Sequence, residues 1–521
     1  MSGAAKVTVN DQDQSQTLTG APTGVGYMLG KAQRGIPDKP KLCRNFGDYG
    51  RYFGTFLADS DLAYALKRAT EGGAAVWCSR ATHRSGGVTT AIAAGKTFKT
   101  TTNVDTITLT AGQYGEEDPG AWGNDLKVSF AAATKNPTTR GKLTVKYKGT
   151  VVDTIDEYTL DPSDDRYLGK LLANHPYLVF SDEDAYGHAY GGGGTINTYP
   201  EALPVAQSDV ALTGGSDGGS IVAADYTGDS VAKTGFYAFD ARKEGSFMGV
   251  PGVTTRTVAA ALVSYCAARG DLFAILDGPS GLTTNQKVDY RQATGSYAGG
   301  SAFDSRYGGL WWNRLKITDP LTKTARYVSL MGDVFAAFAS SRIDAQLTAA
   351  GAVAGSRGGR IAGGNPVVEA LEEEIPIDGD GDTLADYGMN FATNHPVYGF
   401  VFWGERNLQS VQSDLDRVPQ SRWHIYARQT LKPMLDELLL YQPNDAVAWE
   451  ASKKKVAPWL RAEIRKRAIA DANFVNDATV NTADVIAAHR QLPRLFVKHN
   501  LHAEFIEVAL VAVSQDTTIA K

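Results

Sequence analysis

Cysteine is scarce in this 521-residue chain: Cys43, Cys78 and Cys266 are the only three. An odd number without Cys-x-x-Cys spacing excludes a disulfide framework and a cysteine zinc site, and points to folding in a reducing compartment. Long apolar runs are lacking too. The longest, such as VALVAV at Val508 to Val513, reach about a third of the roughly 20 residues needed to cross a bilayer. The opening MSGAAKVTVNDQDQSQ has no basic start followed by an apolar stretch, so no secretory leader is expected. The reading is a soluble protein made in cytoplasm, with no membrane insertion. Charge of one sign is not in excess either. With 52 basic against 57 acidic residues and a formal charge of −5, the chain is not built to hold a nucleic-acid backbone along its length.

What is present is a globular composition with a surplus of glycine. Hydrophobic residues make up 43% and charged residues 21%, and there are 55 glycines, so many turns and close backbone approaches follow. The length calls for several domains. Residues 1–20 are polar apart from the alternating Val7 and Val9 and read as an N-terminal arm. The body opens over 21–95, where a helix is expected from an Asp59 or Ser60 cap through Leu62, Leu66 and Ala69 to Gly72 and Gly73, followed by strand AAVWCS. Over 96–219 short β-branched runs alternate with Gly, Pro and Asn, with one helix near Tyr167 to Asn174. This reads as an inserted, β-sandwich-like domain. Residues 220–388 alternate strand and helix: Phe247 to Val250, a helix from Arg256 to Ala268, strand DLFAILD, a single strand GGLWWNRLKI and a helix-like DVFAAFASSRIDAQ.

A C-terminal core domain is expected over 389–507. Leu431, Met434, Leu435, Leu438 and Leu439 share one helical stripe, and a second helix aligns Ala457, Leu460, Ile464 and Ala468. RLFVKHNL and EFIEVALVAV then read as a hairpin whose last strand overruns into a C-terminal arm, 508–521. The fold class is mixed, α+β or α/β: a multidomain chain whose mixed-sheet core is assembled from its N- and C-terminal segments around the insertion.

Four motifs invite a chemical reading. GGSDG at Gly214 to Gly218 matches a nucleophile elbow centred on Ser216, but more glycine follows where a helix must start. A β-turn is the plainer reading. DGDGD at Asp378 to Asp382 has Thr383 where a calcium loop requires glycine and Met389 where it requires glutamate, leaving an exposed acidic loop. YGGGG at Tyr190 to Gly194 is not followed by the helix start and Lys or Thr of a phosphate loop. The nearest histidine pair, His499 and His502, sits in an expected hairpin turn without a third ligand. We therefore expect no catalytic residue, no metal and no cofactor.

Landmarks along the chain, in order, resemble the contractile phage tail sheath family. Residues 21–57 are similar to its opening, with Lys31-Ala32-Gln33-Arg34-Gly35 at a KGP-type turn before FGDYGRYFG. PGAWGNDLKV at Pro119 to Val128, the LTGGSDG turn, FMGVPGV with DLFAILDGP, and YGMNFATNHPVYGFVFWGERNL follow. The longest likeness is WLRAEIRKRAIADANFVNDATVNTADVIAAHRQLPRLFVKHNLHAEFIEVAL, although Leu501-His502-Ala503 stands where proline is common. The segment KTARYVSLMGDVFAAFASSRIDAQ lacks the usual PPSG turn.

The resemblance implies a structural subunit, not an enzyme. Copies of the chain would polymerise helically around an inner tail tube, joined by terminal strands carrying Val7 and Val9 at one end and Val508, Leu510, Val511 and Val513 at the other. It also implies contacts with baseplate and tail terminator proteins, a place in a virion tail assembled in the host cytoplasm, and no direct nucleic-acid contact. On the basic second helix, Arg461 and Arg465 are the candidate tube contacts, against the plainer reading of a solvated face. The sheath of a headless bacteriocin-like particle fits equally; a type VI secretion sheath, divided between two chains, fits less well. From other classes the alternatives are a serine hydrolase using Ser216 and a surface or capsid-associated binding protein working through residues 96–219.

Overall fold

The computed structural model describes residues 20–84, 90–103, 105–182, 203–361, 367–504 and 506. They fall into two compact units, one of residues 20–342 with 347–433, the other of 343–346 with 434–504 and 506.

The first unit begins with β1 (Val25–Gly30), the edge strand β2 (Lys41–Cys43), helices α1 (Phe46–Phe53) and α2 (Leu62–Glu71), and β3 (Ala75–Arg80), which pairs in parallel with β1. Asn45 caps α1 by accepting from Asp48 N (2.9 Å), and Ser60 accepts from Leu62 N (3.2 Å) at the start of α2. Between β1 and β2, Gly35 has φ +117°, and a Cβ there would lie 2.5 Å from the Phe53 ring. Only glycine fits both the angle and the space.

The next strands build a sandwich: β4 (Gly95–Lys99), β5 (Asp105–Gln113), β6 (Glu116–Glu117), β7 (Leu126–Ala132), β8 (Gly141–Tyr147), β9 (Thr150–Tyr158), helix α3 (Leu168–Leu172), β10 (Leu178–Asp182) and β11 (Gln207–Ala211). One sheet runs β10-β5-β4, the other β11-β7-β8-β9. Alternate residues Ile107, Leu109 and Ala111 of β5 face Val128 and Phe130 of β7 and Leu143 and Val145 of β8 in a core of their own. Entry and exit chains pair through Ile92 with Ser216 and Gly95 with Thr213.

After α4 (Ala223–Thr227), strand β12 (Phe247–Gly249) returns beside β1; α5 (Arg256–Arg269), β13 (Phe273–Asp277), α6 (Thr284–Gln292) and β14 (Gly308–Trp312) extend the sheet. Next come β15 (Arg314–Thr318), β16 (Ala325–Ser329), α7 (Met331–Ser340), the two-residue strands β17 (Arg342–Ile343) and β18 (Gln346–Leu347), α8 (Gly355–Gly358), β19 (Val368–Leu371), α9 (Asp380–Asp386), β20 (Asn390–His395), β21 (Gly399–Trp403) and α10 (Val418–Leu439). The large sheet has the order β2-β3-β1-β12-β13-β14-β20-β21, parallel except at its two edges.

Both faces are buried, so its strands read as continuous apolar runs. Met28, Phe273, Ile275 and Trp311 face α2 and α7; Tyr27, Leu29, Ala274, Leu276 and Trp312 face α5. Helices α2 and α7 touch closely at Gly332, where a Cβ would lie 2.3 Å from Ala65 O. Beside that contact Arg68 Nε and Nη2 grip the two carboxylate oxygens of Asp333 at 2.6 and 2.7 Å.

Two expectations are corrected. GGLWWNRLKI is two strands in two sheets, because Asn313 adopts φ +94° between them. Its Nδ2 donates to Glu373 O (2.8 Å) and Ala392 O (3.0 Å), which holds the corner. The boundary expected at 389 is not one either. Strand β20 pairs with β14, Trp311 opposite Asn390, and the first unit runs on to 433. The buried Asn390 fixes the Trp-Gly-Glu-Arg turn by accepting from Arg406 N (2.7 Å) and donating to Arg406 O (2.8 Å).

At the carboxyl end of β13, burial pushes the Asp277 carboxyl up to about 6 against hydrogen bonds from Ser329 Oγ (2.5 Å) and Gly252 N (2.8 Å). The folded state thus holds this proton more tightly than the unfolded chain. Its stabilisation is complete below the ordinary value of 3.8 and is lost as pH rises through about 6. Asp277→Asn keeps an acceptor and removes the titration. Urea unfolding at pH 8 should therefore find the variant more stable by about 1–3 kcal/mol, with the gap closing towards pH 4. A less stable variant with an unchanged pH profile would contradict this.

Candidate assembly interface

The second unit is organised by α11 (Ala446–Arg465), followed by β22 (Ile469–Val475), α12 (Ala483–Ala487) and β23 (Arg494–His499). Asp445 caps α11, accepting from Val447 N and Ala448 N at 3.0 Å each. Trp449, Ser452, Val456, Trp459, Leu460 and Glu463 form its buried face. The opposite stripe of Val447, Lys454, Pro458, Arg461 and Arg465 is exposed. Helix α11 ends at Arg465, and Arg467 at φ +60° turns the chain into β22. Ala468, expected on the helical stripe, is buried beyond the helix end instead.

Strand β23 pairs antiparallel with β22, Ala472 opposite Val497 and Asn473 opposite Phe496. The partner of RLFVKH among the described residues is therefore IADANFV, and EFIEVALVAV, expected to form a hairpin with it, lies outside the described residues except for Glu504 and Ile506. His499 ends β23 rather than sitting in a turn. Among the described residues no third strand joins the pair, and Phe496 is 56% exposed. A two-stranded ribbon is marginal alone and offers open edges for further strands.

A chain of buried amides fastens this ribbon's connection to α11. Asn476 Nδ2 donates to Ser452 Oγ (2.8 Å), Asn481 Nδ2 donates to Asn476 Oδ1 (2.8 Å), and Leu492 N donates to Asn481 Oδ1 (2.8 Å). Asn444 Nδ2 adds a bond to Arg490 O (2.8 Å). The sequence reading missed these residues as a group; the Asn-Thr turn at Asn481 and Thr482 was the one visible sign.

Arg461 and Arg465 lie one turn apart on the exposed stripe, and neither meets a carboxylate among the described residues. Lys453 and Lys466 differ, pairing with Glu450 and with Glu463. The arm residues Val7, Val9, Val508, Leu510, Val511 and Val513, like the YGGGG stretch, lie outside the described residues.

Ser216 is held in the paired neck, its N and O bonded to Ile92 at 2.9 Å and its Oγ accepting from Gly218 N (3.1 Å). The next helix starts only at Ala223, so the strand-turn-helix of a nucleophile elbow is not formed. DGDGD, expected as an exposed loop, opens α9 instead: Asp382 accepts from Gly379 N (2.9 Å), and Gly381 and Leu384 are buried. Among the described residues no group of three or more His, Cys, Asp or Glu is placed to hold a metal ion, and no helix is long and apolar enough to cross a membrane.

No family model matches the sequence, and no curated protein matches it either. Solved structures do match. The sheath tail protein of Listeria innocua aligns with a TM-score of 0.59 at 12% identity, over 92% of this chain and 96% of that one. The sheath tail protein of Desulfitobacterium hafniense aligns at 0.54 and 14% identity, over 91% and 94%. The chain has the fold of sheath tail proteins. The likeness runs nearly end to end: a chain of the anti-feeding prophage helical sheath in the contracted state aligns over 99% of this chain and 100% of its own, at 0.55 and 12% identity.

If the amides hold the ribbon, Asn481→Ala should cost about 1–3 kcal/mol by stranding Asn476 and Leu492 N. Hydrogen exchange should then quicken across 469–499 and stay unchanged in the large sheet. Unaltered exchange at 469–499 would show that the ribbon is held by other contacts.

Proposed function

We propose that this chain is the sheath subunit of a contractile tail or related injection particle, acting by self-assembly around an inner tube. The observation that carries the reading is the end-to-end fold likeness to sheath tail proteins and to an assembled helical sheath. The ribbon of β22 and β23, whose edges are open among the described residues, supports it, since a neighbour's extended segment can add to such an edge through main-chain hydrogen bonds. Those bonds survive rotation of the bodies they tether. The segments assigned to this role are the terminal arms with Val7 and Val9 and with Val508 to Val513. Head-to-tail contacts that do not close give a helical tube, and contraction passes from a trapped packing to one of lower energy.

In this reading the sandwich of residues 96–219 faces outward, away from the tube, and baseplate and tail terminator proteins close the two ends of the sheath. The particle is a phage tail assembled in the host cytoplasm, or a headless bacteriocin-like device of the same build.

Negative-stain electron microscopy of the full-length chain should show hollow striated tubes, lost when residues 1–20 and 508–521 are removed. Closed small oligomers indifferent to the truncation would count against the reading. For the tube contact, Arg461→Glu with Arg465→Glu should abolish or sharply weaken co-assembly with an acidic tube, since both exposed charges reverse. Unchanged co-assembly would remove these two residues from the interface.

A further inference from the structure

The large sheet changes its direction of winding between β1 and β12. From β1 the chain builds through α2 to β3 on one side; from β12 it builds through α5 to β13, and then β14, on the other. In open α/β sheets, the loops at the carboxyl ends of the strands part at such a point and leave a crevice. Here Gly30 and Lys31 leave β1, Pro251 and Gly252 leave β12, and between them lies a crevice of about 400 Å³, within the range of roughly 300 to 1,000 Å³ for small-molecule sites.

Three cations line it: Lys31, Arg314 and Arg326. Arg326 is committed, donating to Ala58 O (2.7 Å) and Asp61 Oδ1 (2.9 Å). Lys31 pairs at 2.5 Å with Asp59, which is 61% exposed at the mouth. Arg314 is different. Its side chain is only 20% exposed, its nearest carboxylate oxygen, on Asp61, is 3.6 Å away, and its Nε is shielded from water with no hydrogen-bond partner. Asp61 in turn is occupied by Ser329 N (3.0 Å) and Arg326. Buried N–H donors nearly always find an acceptor; this guanidinium, ion-paired only at long range to Asp61 and with its Nε unused, keeps donor capacity for an oxyanion.

We propose that this crevice is a binding site for a small oxyanion, phosphate or carboxylate, gripped by Arg314 with Lys31 as the second cation. Tyr327, 45% exposed at the rim, offers a ring face to an organic body carrying the anion. All of its residues belong to the first unit.

Calorimetric titration of inorganic pyrophosphate and of citrate into the unassembled full-length chain separates the two sources of oxyanion. One saturable site per chain is expected for at least one probe, weakened about tenfold or more in Arg314→Gln and less in Arg314→Lys, which keeps the charge without the fork. Lys31→Met should weaken it several-fold. Because Lys31 lies at the crevice mouth, that variant and Arg314→Lys decide the matter should Arg314→Gln fail to fold by circular dichroism. No saturable binding of either probe, or binding unchanged in the folded variants, overturns the proposal.

Discussion

A single buried carboxylate, Asp118, ties the first unit together. It has 0% exposure and accepts from Gly35 N (2.6 Å), Gln113 Nε2 (2.7 Å) and Arg80 Nη1 (2.9 Å). Arg80 stands at the end of β3 and also reaches Gly35 O, Pro119 O and Asp217. The loop after β1, the large sheet, the sandwich and the sandwich's exit therefore meet on one ion pair. Burial works against both charges, raising the Asp118 carboxyl and lowering the Arg80 guanidinium. Such a pair adds little net stability, but removing one partner strands the other. Its consequence is orientation: the sandwich is fixed to the sheet by directional bonds, with Arg34 stacked over Tyr177 at 4.6 Å as a second clamp.

The two units solve the packing problem differently. In the first, parallel strands buried on both faces leave the sheet with short antiparallel strands at its edges. That arrangement is closed to further pairing along most of its width. In the second, a single helix supports a ribbon through amide-to-amide bonds, and the ribbon's edges stay open among the described residues. If the chain is a sheath subunit, it must be rigid within itself and adhesive at its border, and then it needs both solutions.

Much of this could be read from the sequence where local chemistry and tertiary packing agree. The α2 stripe of Leu62, Leu66 and Ala69 and the buried run FAILD were legible because period and composition alone specify them. Asn313 was not, because a reversal inside GGLWWNRLKI depends on acceptors at Glu373 and Ala392, 60 and 79 residues away. The pairing of β22 with β23 was not legible for the same reason, since its register is set by the turn and packing through Asn476 and Asn481. Of the candidate site residues, Arg461 and Arg465 follow from helical spacing and are exposed one turn apart. Arg314 gave no sequence signal at all, since a donor atom left without a hydrogen-bond partner is defined only by what surrounds it.

If the chain works as a sheath subunit, the location of its polar bonds constrains how it can move. The Asp118 junction, the Arg68 grip on Asp333 and the Asn390 turn all lie inside the first unit, and each would strand buried charge or amide if it opened. Interiors of this kind are bistable at best and resist gradual deformation. A change of lattice pitch is then cheapest where bonds can persist through rotation, in strands added to an open ribbon edge, and where contacts are solvated, as at Arg461 and Arg465. Contraction on this argument redistributes contacts between subunits and leaves each folded unit as it was.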